Sequence, residues 1–106
     1  MVIVLKAPFQ EEVILENVDQ EGNPVPFPLQ GIVFQVLDKQ GKEVYRKTSG
    51  IEIFGANGNM MAIRFSQEET EALASKKQGM SFSIHTETGN HIASGVLLVY
   101  QVATRD

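Results

Sequence analysis

Three short stretches ending in glycine, Lys39-Gln40-Gly41, Ala56-Asn57-Gly58 and Glu87-Thr88-Gly89, each lie between two runs in which apolar and polar residues alternate. In a hairpin the loop length decides which residues stand opposite one another, and therefore which side chains share a face. For Ile51-Glu52-Ile53 and Met61-Ala62-Ile63, a two-residue Asn57-Gly58 turn would set Ile53 against Ala62 and Glu52 against Ile63, mixing core with solvent. A three-residue loop sets Ile53 against Met61 and Ile51 against Ile63, so the alternation selects it. Such a loop is a type I turn ending in a left-handed residue, where glycine escapes a steric cost. The same arithmetic predicts Val36 opposite Val44 and Ile84 opposite Ile92.

Period-2 runs rich in Val, Ile, Phe and Tyr predict strands at Met1 to Ala7, Glu12 to Asn17, Ile32 to Asp38, Glu43 to Thr48, Ile51 to Phe54, Met60 to Phe65, Met80 to Thr86 and Asn90 to Val102. The prediction is an all-β chain, an antiparallel β-sandwich of about seven to eight strands, immunoglobulin-like or jelly-roll-like. One stretch departs from this pattern. Ser66 and Glu69 stand at capping-box spacing, acidic residues follow in the first turn, Lys76 and Lys77 come at the end, and Gly79 offers a stop. A short helix near residues 67–77 is predicted, lying over one end of the sandwich because Leu73 and alanines are its only apolar content.

At 106 residues the chain is the size of one domain, and residues 1–106 read as a single sandwich with no linker or internal repeat. A chain of this size buries about 65% of its unfolded surface and holds a core unaided. The absence of Cys removes disulfides, thiolate metal sites and cysteine nucleophiles together. A formal net charge of -4 supplies no basic field for a phosphate backbone, so nucleic acid is not expected as a partner. Met1-Val-Ile-Val-Leu-Lys6 lacks a basic segment before its apolar run and reads as a strand, not a signal. No apolar stretch reaches the ~18 residues of a spanning helix, and no membrane partner is expected.

The residues that carry chemistry are sparse. Gly55-Ala56-Asn57-Gly58 resembles a phosphate cradle only until the following strand is considered, since a cradle opens a helix. The turn at Glu87-Thr88-Gly89 sets His85 opposite His91, but zinc needs at least a third ligand, with Glu87 nearest by sequence, so a solvent-facing polar pair is the expectation and no metal is assigned. The carboxylates fall at strand ends or on the helix, where they act as caps or solvated charge. Neither a catalytic residue nor a cofactor is predicted, and the chain reads as not an enzyme; a carboxylate pair in a cleft would mark a small hydrolase instead. Without Trp, only Tyr45 and Tyr100 offer amphipathic rings to a carbohydrate.

Met1 to Leu5 and Val96 to Val102 are apolar on both faces, whereas a free two-layer sandwich leaves one face polar. Either these strands are central and covered on both sides, or one side meets another subunit. Pro24, Pro26 and Pro28 alternate between Asp19 and Leu29, which withholds ladder hydrogen bonds and favours an extended course. That segment reads either as a crossing between sheets or as a docking arm offering Val25, Phe27 and Leu29. The candidate interface residues are therefore Val2, Val4, Pro26, Phe27, Leu29 and Tyr100.

Gly31-Ile-Val-Phe-Gln-Val-Leu-Asp38 with Gly41 and Val44, then Phe65-Ser-Gln-Glu-Glu-Thr-Glu-Ala-Leu73, then Ser81-Phe-Ser-Ile84 and Ala93-Ser-Gly-Val-Leu-Leu-Val99 form an order of parts. Over roughly residues 31–102 it resembles the small β-sandwich domains of tailed-phage virions, especially the N-terminal domain of the baseplate upper protein family and similar tail or fibre attachment modules. The first 30 residues match less well, and a generic immunoglobulin-like domain shares much of the pattern. The resemblance implies a non-enzymatic structural or assembly protein of a tail, baseplate, neck or capsid. It would be located in the virion after synthesis in the host cytoplasm, with other virion proteins and a homo-oligomer as partners. The alternative is a small carbohydrate- or protein-binding module.

Overall fold

Alternating burial sets eight strands in the computed structural model, which describes residues 1–76 and 79–102. They are β1 (Val2–Ala7), β2 (Glu11–Glu16), β3 (Ile32–Leu37), β4 (Glu43–Lys47), β5 (Ile51–Phe54), β6 (Met60–Phe65), β7 (Met80–Thr86) and β8 (His91–Gln101), with a helix α1 (Gln67–Ala74) between β6 and β7. Each strand boundary lies within a residue of the predicted one, because alternation stops where the turns begin. The strands form a five-stranded sheet, β1-β8-β7-β3-β4, facing a three-stranded sheet, β2-β6-β5. All pairings are antiparallel save β1 with β8, which run parallel in the register Val2 to Val96 through Ala7 to Gln101. This strand order is that of an immunoglobulin-type sandwich, so of the two predicted architectures the chain adopts that one.

Antibody-type sandwiches pack a Trp against a disulfide that joins the sheets. This chain has neither residue and fills the same space with three phenylalanines. Phe34 of β3 stacks on Phe82 of β7 at 5.7 Å between ring centroids and meets Phe65 of β6 edge-on at 5.4 Å. All three are essentially inaccessible to solvent, so the trio ties the two sheets together. Burial of each ring contributes about 2–3 kcal/mol, with up to ~1 kcal/mol more from each ring pair.

The hairpins follow the predicted loops but not always the predicted phase. Ile51 faces Ile63 and Ile53 faces Met61, as the three-residue loop requires. Next to the other two loops the predicted pairs also form, Leu37 with Glu43 and His85 with His91. One step further each ladder slips. Val36 faces Tyr45 in place of Val44, and Ile84 faces Ala93 in place of Ile92. A β-bulge inserts one residue into β4 and into β8 at that step, and such an insertion leaves no mark in an alternation that both phases satisfy with apolar residues. In β4 the slip turns Tyr45 and Lys47 towards the face of Val36 and Phe34.

A fourth loop repeats the grammar. Asp19 donates its N–H to Asn23 O and Gly22 donates to Asp19 O, while Asp19 Oδ1 accepts from Glu21 N and Asn23 N. Asp38 makes the corresponding set with Lys42, Gly41 and Gln40. The glycines that end the four loops, at 22, 41, 58 and 89, all have positive φ.

The capping box of α1 is complete: Ser66 Oγ accepts from Glu69 N at 3.1 Å and Glu69 Oε1 accepts from Ser66 N at 3.0 Å. The helix ends earlier than predicted, at Ala74 with Ser75 as its C-cap, and Gly79 plays no part in stopping it. Ser75 itself closes the last turn by donating its hydroxyl to Ala72 O. Lys77, the second of the two predicted closing lysines, lies outside the described residues. Leu73 is fully buried, and Thr70 Oγ1 donates to Phe9 O at 2.9 Å, fixing the helix over the end of the sandwich next to β1 and β8.

Candidate functional site

Two signals in the sequence converge on one place. Because β1 and β8 are neighbours in parallel register, Val2 lies beside Val96, Val4 beside Leu98 and Lys6 beside Tyr100. Their alternate partners Ile3, Leu5 and Leu97 point into the core, which turns these six side chains outward. The five apolar ones remain between 37% and 58% exposed. Together they form an uncovered apolar patch on the order of 400 Å², within the range at which surface patches are often functional. On β7, across the ladder from Val96 and Ser94, the outer face turns polar with Ser81 and Ser83. The patch is thus bordered by hydroxyls on one side and by the sheet's edge strand, β1, on the other.

Gly95 makes this arrangement possible. A side chain there would bring its Cβ within 2.0 Å of Met1 O, the carbonyl that accepts from Val96 N. Only a glycine lets the start of β1 close on β8. At the other end a groove of about 350 Å³ opens between α1 and β8, lined by Leu73, Met80, Leu98 and Tyr100 among others, and it is continuous with the patch.

The remaining predicted interface residues do not join it. Phe27 is a correction: at 6% exposure it belongs to the core and is not offered to a partner. The alternating prolines explain why. They leave every second N–H available, and Val25 N donates to Asn17 O while Phe27 N donates to Gly58 O, so the segment is fastened to the sandwich instead of standing off it. Pro26 is exposed beside Gly58, and Leu29 is 94% exposed. Both lie on the connection from β2 to β3 and not on the β1/β8 face.

A polar cluster that sequence reasoning missed closes the opposite edge of the sandwich. Lys47, whose side chain is 4% exposed, donates to both Glu69 carboxylate oxygens at 2.9 Å and to Arg64 O, and its ammonium sits 4.6 Å from the centre of the Phe65 ring. Tyr45 donates its hydroxyl to Glu69 Oε2. Burial, and then the Glu69 carboxylate, push the Tyr45 hydroxyl well above its usual range. For Glu69 burial acts to raise the pKa, but the bonds from Tyr45, Lys47 and Ser66, with the Lys47 charge, outweigh it and hold the carboxyl below its ordinary value. The signal was available: Glu69 already stands at capping-box spacing, and Lys47 follows Tyr45 at strand spacing on the side that the bulge turns inward.

A groove of about 580 Å³ lies beside this cluster, lined by Gln10, Glu11, Glu12, Arg64, Ser66 and Glu69. Of its charged residues, Glu12 is paired with Arg64 at 2.8 Å, Arg64 also reaches Glu52 at 3.0 Å, and Glu69 is held by Lys47, while Glu11 lines the groove without an ion pair among the described residues. His85 and His91 are paired across the ladder, with Ser83 Oγ 3.4 Å from His85 Nδ1. Among the described residues no three His, Asp or Glu side chains gather as metal ligands, and no helix is long and apolar enough to cross a membrane.

No family model matches the sequence, and neither does any curated protein. Among solved structures the chain is similar to the extracellular domain of mouse leukocyte-associated immunoglobulin-like receptor 1, crystallised as a strand-swapped dimer. That likeness has 8% identity, a TM-score of 0.44, and coverage of 99% of this chain and 85% of the other. It is also similar to extracellular domains 3–5 of Drosophila OTK, with 14% identity, a TM-score of 0.31, and coverage of 95% of this chain and 32% of the other. At such scores neither likeness bears on function, and the fold assignment rests on the strand order.

Proposed function

We propose that the chain is a non-enzymatic assembly module that associates with protein partners through the outward face of β1 and β8. The observation that carries this reading is the row of Val2, Val4, Val96, Leu98 and Tyr100, five large apolar side chains placed side by side in solvent by two strands whose other faces are core. A patch of this size is often functional, and its apolar centre with a hydroxyl border on one side is the pattern of an interface core and rim. The pairing of Glu12 with Arg64 and of Glu69 with Lys47 beside the groove of about 580 Å³ supports a structural role for those two carboxylates. The narrower assignment, to the virion of a tailed phage, is supported by the order of parts in residues 31–102. Carbohydrate recognition finds one exposed ring on this face, Tyr100, and is the weaker reading.

The experiment is the molar mass in solution by light scattering across a concentration series, for the native chain and for Leu98→Lys. Association that the substitution abolishes, with an unchanged melting temperature, supports the reading. A mass of 11.7 kDa at every concentration up to about 1 mM, or association indifferent to Leu98→Lys, overturns it.

A further inference from the structure

We infer that the occupant of the β1/β8 face is a second copy of this chain, stacked face to face and antiparallel across a twofold axis at the Val4/Leu98 row. This inference rests on the assembly reading above.

Area is the first argument. Adding the exposed Val102 and the stem of Lys6 brings the face to about 500 Å² per copy, so two copies bury ~1,000 Å², the threshold for a specific interface and the range of weak, reversible ones. Two apolar sheet faces packed ~10 Å apart satisfy each other without any polar group being buried, as the layers within a sandwich do.

Charge selects the orientation. The one ionic side chain in the rows is Lys6, at the Tyr100 end. Parallel stacking would bring two Lys6 ammoniums together. Antiparallel stacking separates them to opposite ends, sets the Tyr100 row of one copy over the Val2/Val96 row of the other, and places Val4 over Val4 and Leu98 over Leu98 along the axis. The Tyr100 hydroxyl then reaches the rim, where water satisfies it.

The chain contains no Cys, so single cysteines report geometry cleanly. With a bismaleimide spanning about 8 Å, which bridges sheets ~10 Å apart where a direct disulfide does not reach, Leu98→Cys should form a covalent dimer with most of the chain converted. Val2→Cys should not, because its two copies lie about 13 Å apart along the strands from the positions they would need. Cross-linking of Val2→Cys as fast as Leu98→Cys means parallel stacking and overturns the inference. Failure of both to cross-link while the native chain still associates also overturns it. In that case dissociation by Leu98→Lys leaves the face as the interface, and dissociation by Val4→Pro but not Leu98→Lys moves it to the open edge of β1, refuting the face as well. Proline at position 4 tests that edge because Met1 O and Ala7 O both face β8, which points the N–H of Val4 away from the sheet.

Discussion

Replacing Glu69 with Gln removes one charge and rearranges four hydrogen bonds. Glu69 accepts from Lys47 through both oxygens, from Tyr45 and from Ser66 N. A carboxamide keeps a single oxygen and turns its NH2 towards a hydroxyl or an ammonium that is itself a donor. Lys47 is left with Arg64 O and the Phe65 ring. Breaking a fully buried ion pair costs ~3–5 kcal/mol. The carboxylate here keeps 23% exposure, so water reaches it and the figure falls to about 2–3 kcal/mol. For a domain of this size that lowers the melting temperature by roughly 10–15 °C.

The assay is urea unfolding followed by far-UV circular dichroism, native chain against Glu69→Gln, from neutral pH downward. Glu69 is held below its ordinary value in the folded state, so its contribution is complete above the unfolded value near 4.5 and is lost as pH falls through the folded one. The gap between the two proteins should be full at pH 7 and should close on acidification. Adding Lys47→Met to Glu69→Gln should recover much of the loss, since an apolar pair no longer leaves an ammonium unpaired. A gap under about 0.5 kcal/mol at pH 7, or one that stays constant to pH 2, would refute the reasoning.

Phe27→Ala should cost about 3 kcal/mol by urea denaturation, whereas Leu29→Ala, at a side chain almost wholly in solvent, should stay within ~0.5 kcal/mol. Gly95→Ala forces Met1 away from β8, and amide exchange should show Ile3 and Val96 losing protection while Phe34 keeps its own. Gly22→Ala and Gly41→Ala meet no neighbour within 4 Å and carry φ of +84° and +80°. Each should cost about 1 kcal/mol for backbone strain alone, and unequal losses would show that the two loops are not equivalent.

What the sequence made legible was whatever a single strand and its own turn decide. Glycine spacing fixed which residues pair beside each loop, and alternation fixed strand limits to within a residue. The bulges that send Val36 to Tyr45 and Ile84 to Ala93 escaped, since Val44 and Ile92 are apolar in either phase and partly buried in the outcome. The burial of Phe27 is not legible from three alternating prolines, which mark lost donors, whereas the two N–H groups between them are what fasten the segment. The Asp19 loop is legible by comparison with Asp38, since both are Asp-x-x-Gly stretches of one kind. The apolar excess of both terminal strands was visible from the start. That they lie side by side was not, because pairing β1 to β8 joins segments some 94 positions apart and no local pattern encodes it.

That parallel pairing has a mechanical consequence. The chain enters β1 at the end marked by Val2 and leaves β8 at the end marked by Gln101, the far end of the same ladder. Tension applied between these points drags the two strands past each other along their length. All six ladder positions from Val2 to Ala7 then carry load at once, and none can open before the rest. The strand pair is loaded in shear and not peeled like a zipper, so the module is suited to a place in a structure through which force is transmitted end to end.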